Sequence, residues 1–140
     1  FTRDARIVFL DDSIVRGTQL KDNVVKLREC GVKEVHIRIA CPPLIYPCCF
    51  LNFSTSRSTF DLFARRVIRD LEGTSELTDE ILKPYSDPDS EKYKEMVRVM
   101  CQHLQLDSLQ FQRLDDLVKA IGLPKEQLCT HCWDNSSYME

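Results

Sequence analysis

The sequence predicts an α/β fold: a βαβ unit at its N-terminal end, followed by a C-terminal helical segment. Three observations predict it. The run Ile7-Val8-Phe9-Leu10 is continuously apolar and rich in β-formers, as in a strand covered on both faces of a parallel sheet. Leu20, Val24 and Leu27 then recur at helical spacing. Residues 34–40 alternate, with Val35, Ile37 and Ile39 on one side and His36 and Arg38 on the other. Strand, helix and strand in this order make a unit whose crossover is right-handed.

Each element follows from local chemistry. The first apolar run reads as a buried central strand. Residues 11–18 form a polar loop containing Gly17, and Gly31 stops the helix that follows. Pro42-Pro43 opens an irregular stretch that runs to Arg57. Phe60, Phe63, Val67 and Leu71 mark an amphipathic helix closed by Gly73. Residues 74–90 are polar, carry Pro84 and Pro88, and read as a surface connection. Tyr93, Met96, Val97, Met100 and Leu104 mark the next helix. Leu114, Leu117, Val118 and Ile121 mark a short one, closed by Gly122 and followed by Pro124. There is no internal repeat. The pattern divides the chain into residues 1–57, with the strands and the loop, and residues 58–140, helical with a terminal cysteine pair.

Composition narrows the class. The 140 residues are 43% hydrophobic and 29% charged, which suits one globular domain. No apolar run approaches the ~20 residues needed to cross a bilayer. Arg3, Asp4 and Arg6 interrupt any secretory signal pattern, so a cytoplasmic location is expected. The chain opens at Phe1, a few residues ahead of its most apolar strand, and so reads as a piece of a longer protein. A net charge of −3 argues against nucleic acid as a partner. Arg65, Arg66 and Arg69 are interleaved with apolar residues and read as a solvated helix face. The seven cysteines are Cys30, Cys41, Cys48, Cys49, Cys101, Cys129 and Cys132. Without a secretion signal they read as free thiols plus a metal or cluster site rather than disulfides. Cys30, Cys41 and Cys101 fall beside apolar patterns and read as small buried hydrophobes.

Residues 7–18 carry the sharpest chemical signal. The strand delivers two carboxylates, Asp11 and Asp12, at its C-terminal end, where open α/β sheets bind ligands. Ser13, Arg16, Gly17 and Thr18 follow and open into a helix, so backbone N–H groups and the helix N-terminus can cradle an anion. Gly17 allows close approach of a phosphate, and Thr18 can cap the helix while offering its hydroxyl. A phosphate cradle beside paired acids suits a ligand with both phosphate and vicinal hydroxyls, with Mg²⁺ offsetting the repulsion of the acids. Walker-A spacing and a dinucleotide glycine pattern are both lacking. An Asp-Asp turn alone is commonplace; the apolar strand, two acids and Gly-Thr together favour a site. Cys129 and Cys132 form a C-x-x-C compatible with a zinc half-site, a redox pair or half of an iron–sulfur site. For zinc, Cys48, Cys49, His103 and His131 are further candidates, and no spacing selects among them. His36 reads as solvent-facing or cross-strand, and Trp133 as a shield for a cluster or as core.

The string DDSIVRGT, residues 11–18, matches the phosphoribosyl pyrophosphate motif of type I phosphoribosyltransferases. The chain most resembles the amidophosphoribosyltransferase family. That likeness continues through KEVHIRIACPPLIYPC at 33–48, Asp107-Ser108-Leu109, and DDLVKAIGLPKEQLCTHC at 115–132. The resemblance implies a partial, Rossmann-like phosphoribosyltransferase core. It implies that Asp11 and Asp12 hold Mg²⁺ and the ribose hydroxyls, and that Ser13, Val15, Arg16, Gly17 and Thr18 enclose the 5′-phosphate. The implied reaction displaces pyrophosphate from phosphoribosyl pyrophosphate with glutamine-derived ammonia, giving 5-phosphoribosylamine for purine synthesis. A [4Fe–4S] cluster is implied on Cys48, Cys129 and Cys132, with a fourth ligand upstream of Phe1. Cys48 is chosen over Cys49 by its distance from the acidic pair. Purine nucleotide inhibitors and a homo-oligomeric full-length protein are implied as well. Two other readings are a non-catalytic phosphoribosyl-pyrophosphate-binding regulator and a zinc-stabilised interaction domain.

Overall fold

Alternation of apolar side chains along residues 34–39 produces the centre of the sheet. In the computed structural model, which describes residues 3–48, 50 and 59–136, β1 (Arg6–Asp11) pairs in parallel with β2 (Glu34–Ile39). The register runs from Arg6↔Glu34 to Asp11↔Ile39. The crossover is α1 (Thr18–Glu29), so the βαβ unit stands where the sequence predicts it. Val35 and Ile37 are fully buried and Ile39 nearly so.

The central strand is β2, not β1. A third strand, β3 (Ser108–Phe111), pairs in parallel with β2 from His36↔Ser108 to Ile39↔Phe111. It lies in the segment expected to be helical; four residues with only Leu109 buried are too few to show an alternating pattern. The expectation of a buried central first strand is therefore corrected. Ile7 and Phe9 pack against the core. Val8 and Leu10 point to the opposite face and are 57% and 84% exposed.

A 3₁₀ turn at Thr59–Asp61 takes up the first residues of the pattern that begins at Phe60, and α2 spans Phe63–Glu72. Gly73 ends it in the left-handed region at φ 68°, the conformation the sequence asks of it. Arg65 departs from its expected place on a solvated face. It is buried, its Nη1 donates to the Ile45 carbonyl at 3.2 Å, and burial pushes its pKa down. A buried guanidinium needs such carbonyl partners.

Residues 74–90 are more than a surface connection. They hold α3 (Asp79–Ser86), which buries Leu82 and Tyr85 to 1% and 2% exposure. Pro84 is tolerated because the helix ends two residues later, so little of the backbone ladder is lost. The Tyr85 hydroxyl donates to Glu72 at 2.7 Å, and Lys92 Nζ reaches the same carboxylate at 2.6 Å. The Ser90 side chain accepts the Tyr93 N–H at 3.0 Å and caps α4 (Glu91–His103). Met96 and Met100 of α4 are buried, as their spacing predicts. The chain ends in α5 (Leu114–Ile121), stopped by Gly122, and the short α6 (His131–Asp134). Among the described residues no helix is long and apolar enough to cross a membrane. Core residues from both sides of position 57 share one cluster, so the division there is one of sequence pattern while packing runs across it. Cys30, expected buried, is exposed just past α1; Cys41 and Cys101 are half-buried.

Asp107 ties the two halves together. Its carboxylate accepts the Val35 N–H at 2.6 Å and Arg28 Nη2 at 2.5 Å, while its own N–H donates to the Val35 carbonyl at 2.9 Å. Arg28 also donates to the carbonyls of Lys33 and Gln105. Burial alone would raise the Asp107 pKa, but the Val35 amide and the Arg28 guanidinium outweigh it and hold the carboxyl below its usual range.

Two predictions follow from this packing. Leu82→Ala costs about 2–5 kcal/mol, read as a lower urea midpoint with unchanged slope, because the side chain sits in a packed core. An effect below about 0.5 kcal/mol would place α3 on the surface after all. For Asp107 the folded pKa lies below the unfolded one, so its stabilisation is present above about pH 4 and is lost as pH falls through the folded value. Asp107→Asn is therefore less stable at pH 7 and changes less between pH 7 and pH 2, a difference that thermal melts across pH will show.

Candidate functional site

β1 ends by placing Asp11 and Asp12, both exposed, at the C-terminal edge of the sheet. The Asp12 N–H donates to Asp11 Oδ1 at 2.9 Å, and Ser13 Oγ approaches Asp12 Oδ1 at 3.4 Å. Ile14, 5% exposed, turns inward and anchors the loop in the core. The backbone then swings through Gly17 at φ 75°, a left-handed conformation that a side chain would strain. A Cβ at this position would also stand 3.1 Å from the Phe63 ring.

The loop surrounds an open cavity of about 570 Å³, bounded by residues 11–20 and Asn23. Asp11, Asp12, Ser13, Val15, Arg16, Gly17 and Thr18 all line it, so the structure brings together every loop residue that the sequence singles out. The amides of 14–18 find no acceptor among the described residues. The α1 N-terminus adds its partial positive charge. Unpaired amides in a row are a strong anion cradle, because each gains a full hydrogen bond when an anion arrives. The capping role expected of Thr18 is not seen. Gly17 occupies the cap position and Thr18 is the first helical residue, with no side chain capping α1. Arg16 is exposed and only loosely paired with Asp61 at 3.8 Å. Cys41 lies under the acids. Burial pushes its thiol up to about 11, with the Trp133 indole opposing and Asp12 and Asp11 adding to the rise.

The cysteines gather at a second place. Cys48 is buried, Cys132 half-buried and Cys129 exposed. The Cys132 thiol is pushed up to about 12 by burial first, then by Cys48, which also shares a hydrogen bond with it, and then by Cys129. Cys48 and Cys129 thus each lie within electrostatic reach of Cys132. The Phe50 N–H donates to Cys48 Sγ at 3.4 Å. The Cys132 carbonyl accepts from Ile45 at 2.9 Å and Tyr46 at 3.1 Å. Cys49 lies outside the described residues. Among the described residues no three His, Cys, Asp or Glu side chains converge on one metal ion.

A scan against protein-family models returns no match. The amidophosphoribosyltransferase of Methanothermobacter thermautotrophicus is 30% identical over 129 residues, 92% of this chain and 21% of that protein. The Mycobacterium tuberculosis enzyme of the same name is 31% identical over 139 residues, 99% of this chain and 21% of its own length. The glutamine phosphoribosylpyrophosphate amidotransferase from B. subtilis, solved with ADP and GMP, superposes with a TM-score of 0.63 at 27% identity. That match covers 94% of this chain and 23% of the solved one. The chain belongs to the amidophosphoribosyltransferase family.

The chain spans about a fifth of the length of the curated relatives it matches. His36 makes cross-strand contacts, 2.8 Å to Ser108 Oγ and 3.1 Å to Glu34, as its place on the strand predicts. The His103 ring lies 6.2 Å from that of Phe63, and His131 lies 6.1 Å from Tyr46. What the sequence pattern missed is the backing of the loop by α2, where Phe63 and Arg66 line a smaller cavity of about 390 Å³ behind Gly17. Both look like ordinary helix-face residues in the sequence, so no signal marks them.

Thiol chemistry separates the cysteines. A raised pKa leaves little thiolate, the reactive form, at pH 8. Iodoacetamide at pH 8 will label exposed Cys30 and Cys129 before Cys41 and Cys132, a rank order that peptide mass spectrometry reads directly. Early labelling of Cys132 would contradict its burial.

Proposed function

We propose that this chain is the phosphoribosyl-pyrophosphate-binding part of an enzyme that makes 5-phosphoribosylamine from phosphoribosyl pyrophosphate and glutamine, the first committed step of purine synthesis. The observation that carries the reading is that the loop at 14–18, whose amides find no acceptor among the described residues, lines one cavity together with Asp11 and Asp12. Few ligands need both. A sugar phosphate does: its phosphate takes the amides, and its ring hydroxyls donate to the carboxylates.

In this reading the amides, the Thr18 hydroxyl and Arg16 hold the 5′-phosphate. Asp11 and Asp12 accept hydrogen bonds from the ribose hydroxyls and lie near the positive charge that develops on the ring as the C1–O bond to pyrophosphate breaks. Ammonia released from glutamine forms the new C1–N bond and then gives up a proton. The chain's own work is orientation and electrostatic support rather than strong acid or base catalysis, so no catalytic residue is assigned to it. Two carboxylates at an open cavity are a hard-oxygen donor set that fits Mg²⁺, and Asp11 and Asp12 would hold it. Bound there, Mg²⁺ would neutralise the acids and the departing pyrophosphate.

Cys48, Cys129 and Cys132 are a soft donor set that fits a [4Fe–4S] cluster as three of its four thiolates. In such a role the cluster would be structural, bracing the C-terminal end against residues 45–48. The B. subtilis relative was solved with ADP and GMP. Purine nucleotides are accordingly proposed as regulators here, with a cytoplasmic homo-oligomer as the working form.

Titration calorimetry tests the reading. Wild-type protein binds phosphoribosyl pyrophosphate in a Mg²⁺-dependent manner, and Asp11→Asn and Asp12→Asn each weaken it by about tenfold or more, as loss of a charge-assisted hydrogen bond does. Unchanged affinity in both variants would remove the acid pair from the site and end this assignment.

A further inference from the structure

The loop at 14–18 can cradle a phosphate only if its peptide planes are held in one orientation, and the structure shows what holds them. In a trans peptide the C=O of one residue and the N–H of the next point in opposite directions. Fixing a carbonyl on one side therefore aims the following amide toward the other. The Phe63 N–H donates to the Val15 carbonyl at 2.7 Å. Arg66 Nη2 donates to the Arg16 carbonyl at 2.6 Å. Both donors belong to α2, so the amides of Arg16 and Gly17 are turned away from α2.

The side chains of these two residues also fit together. The Arg66 guanidinium lies over the Phe63 ring, 5.4 Å from its centroid. Its Nη1 donates to the carbonyls of Phe60 and Asp61 at 3.3 and 3.2 Å. The Phe63 ring fills the space where a Gly17 Cβ would stand, at 3.1 Å. Arg66 is thereby fixed at three carbonyls and one ring, and the loop rests on it.

We propose that Arg66 and Phe63 are positioning residues that pre-aim the Arg16 and Gly17 amides at the 5′-phosphate, a role that rests on the reading of the loop given above. Neither touches the ligand. Arg66 acts through the Arg16 carbonyl, and Phe63 acts through the Val15 carbonyl and the space under Gly17. The fork of Arg matters more than its charge, because it must reach several carbonyls at once.

The test uses the natural protein that carries this segment, with Arg66→Met and Arg66→Lys. Calorimetry with ribose 5-phosphate and with Mg–pyrophosphate is run beside thermal melts. Arg66→Met is expected to weaken ribose 5-phosphate by about tenfold, as loss of a hydrogen bond to the loop would. Mg–pyrophosphate, which has no 5′-phosphate, keeps its affinity, and Arg66→Lys falls between Met and wild type. KM for phosphoribosyl pyrophosphate rises in parallel while kcat changes little. Equal ribose 5-phosphate affinity in wild type and Arg66→Met overturns the proposal and leaves the site assignment standing. Equal loss of both ligands together with a collapsed melting temperature overturns it too, as a general structural effect. Should Arg66→Met fail to fold, Arg66→Gln, which keeps one donor group, carries the same comparison. A wild type that binds no ribose 5-phosphate overturns both this proposal and the reading beneath it.

Discussion

Because β1 and β2 run parallel, both chains leave the sheet at the same end. The Ala40 N–H extends the ladder one step beyond the last register pair by donating to the Asp11 carbonyl at 2.9 Å. From that shared edge one chain turns into the acid pair and the amide loop. The other turns into the proline-rich stretch that reaches Cys48. An antiparallel partner would send its chain off at the far end, and the two sites would lie a strand length apart. The position of each site is thus a matter of strand polarity first and of side chains second.

The stretch at 41–48 turns that proximity into a fixed distance. Residues 42–46 are all buried, and Pro42-Pro43 restricts two successive backbone angles. Its far end is pinned by the Cys132 carbonyl, which accepts from Ile45 and Tyr46, and by Arg65, which donates to the Ile45 carbonyl. An irregular segment without ladder partners must find such donors and acceptors elsewhere or leave its backbone groups stranded. Here they come from α2 and from the residues around the C-x-x-C. The burial of Arg65 thus follows from the same requirement that fixes Cys48 beside Cys132.

Much of this could be read from the residues alone, for identifiable reasons. Ile7 to Leu10, Leu20 to Leu27 and Val35 to Ile39 repeat with the period of the element they form, so the βαβ unit announces itself. The loop at 11–18 is legible because a phosphate cradle is local: consecutive residues make it. What escaped was non-local or too short. β3 offers one buried side chain in four residues. α3 carries a proline that argues against a helix, yet Leu82 and Tyr85 find a core built by α2 and α4. β1 looks central because its apolar run is unbroken, whereas its pairing within this sheet is one-sided. Thr18 has the chemistry of a cap, but the left-handed turn at Gly17 moves the helix start by one residue. Arg66 and Phe63 become meaningful only once α2 is docked behind the loop.

Trp133 is the chain's one tryptophan, and its indole nitrogen is buried. It is next in sequence to Cys132 and close enough to Cys41 to influence that thiol, which itself feels Asp11 and Asp12. Light absorbed at the red edge of the aromatic band is therefore emitted from a single spot with a sulfur neighbour on either side. Iron or sulfide arriving at Cys132 would darken that emission, and a cation settling on the acids would shift its colour. The fold has placed an intrinsic optical gauge beside a thiol that feels the acid pair and one that belongs to the C-x-x-C.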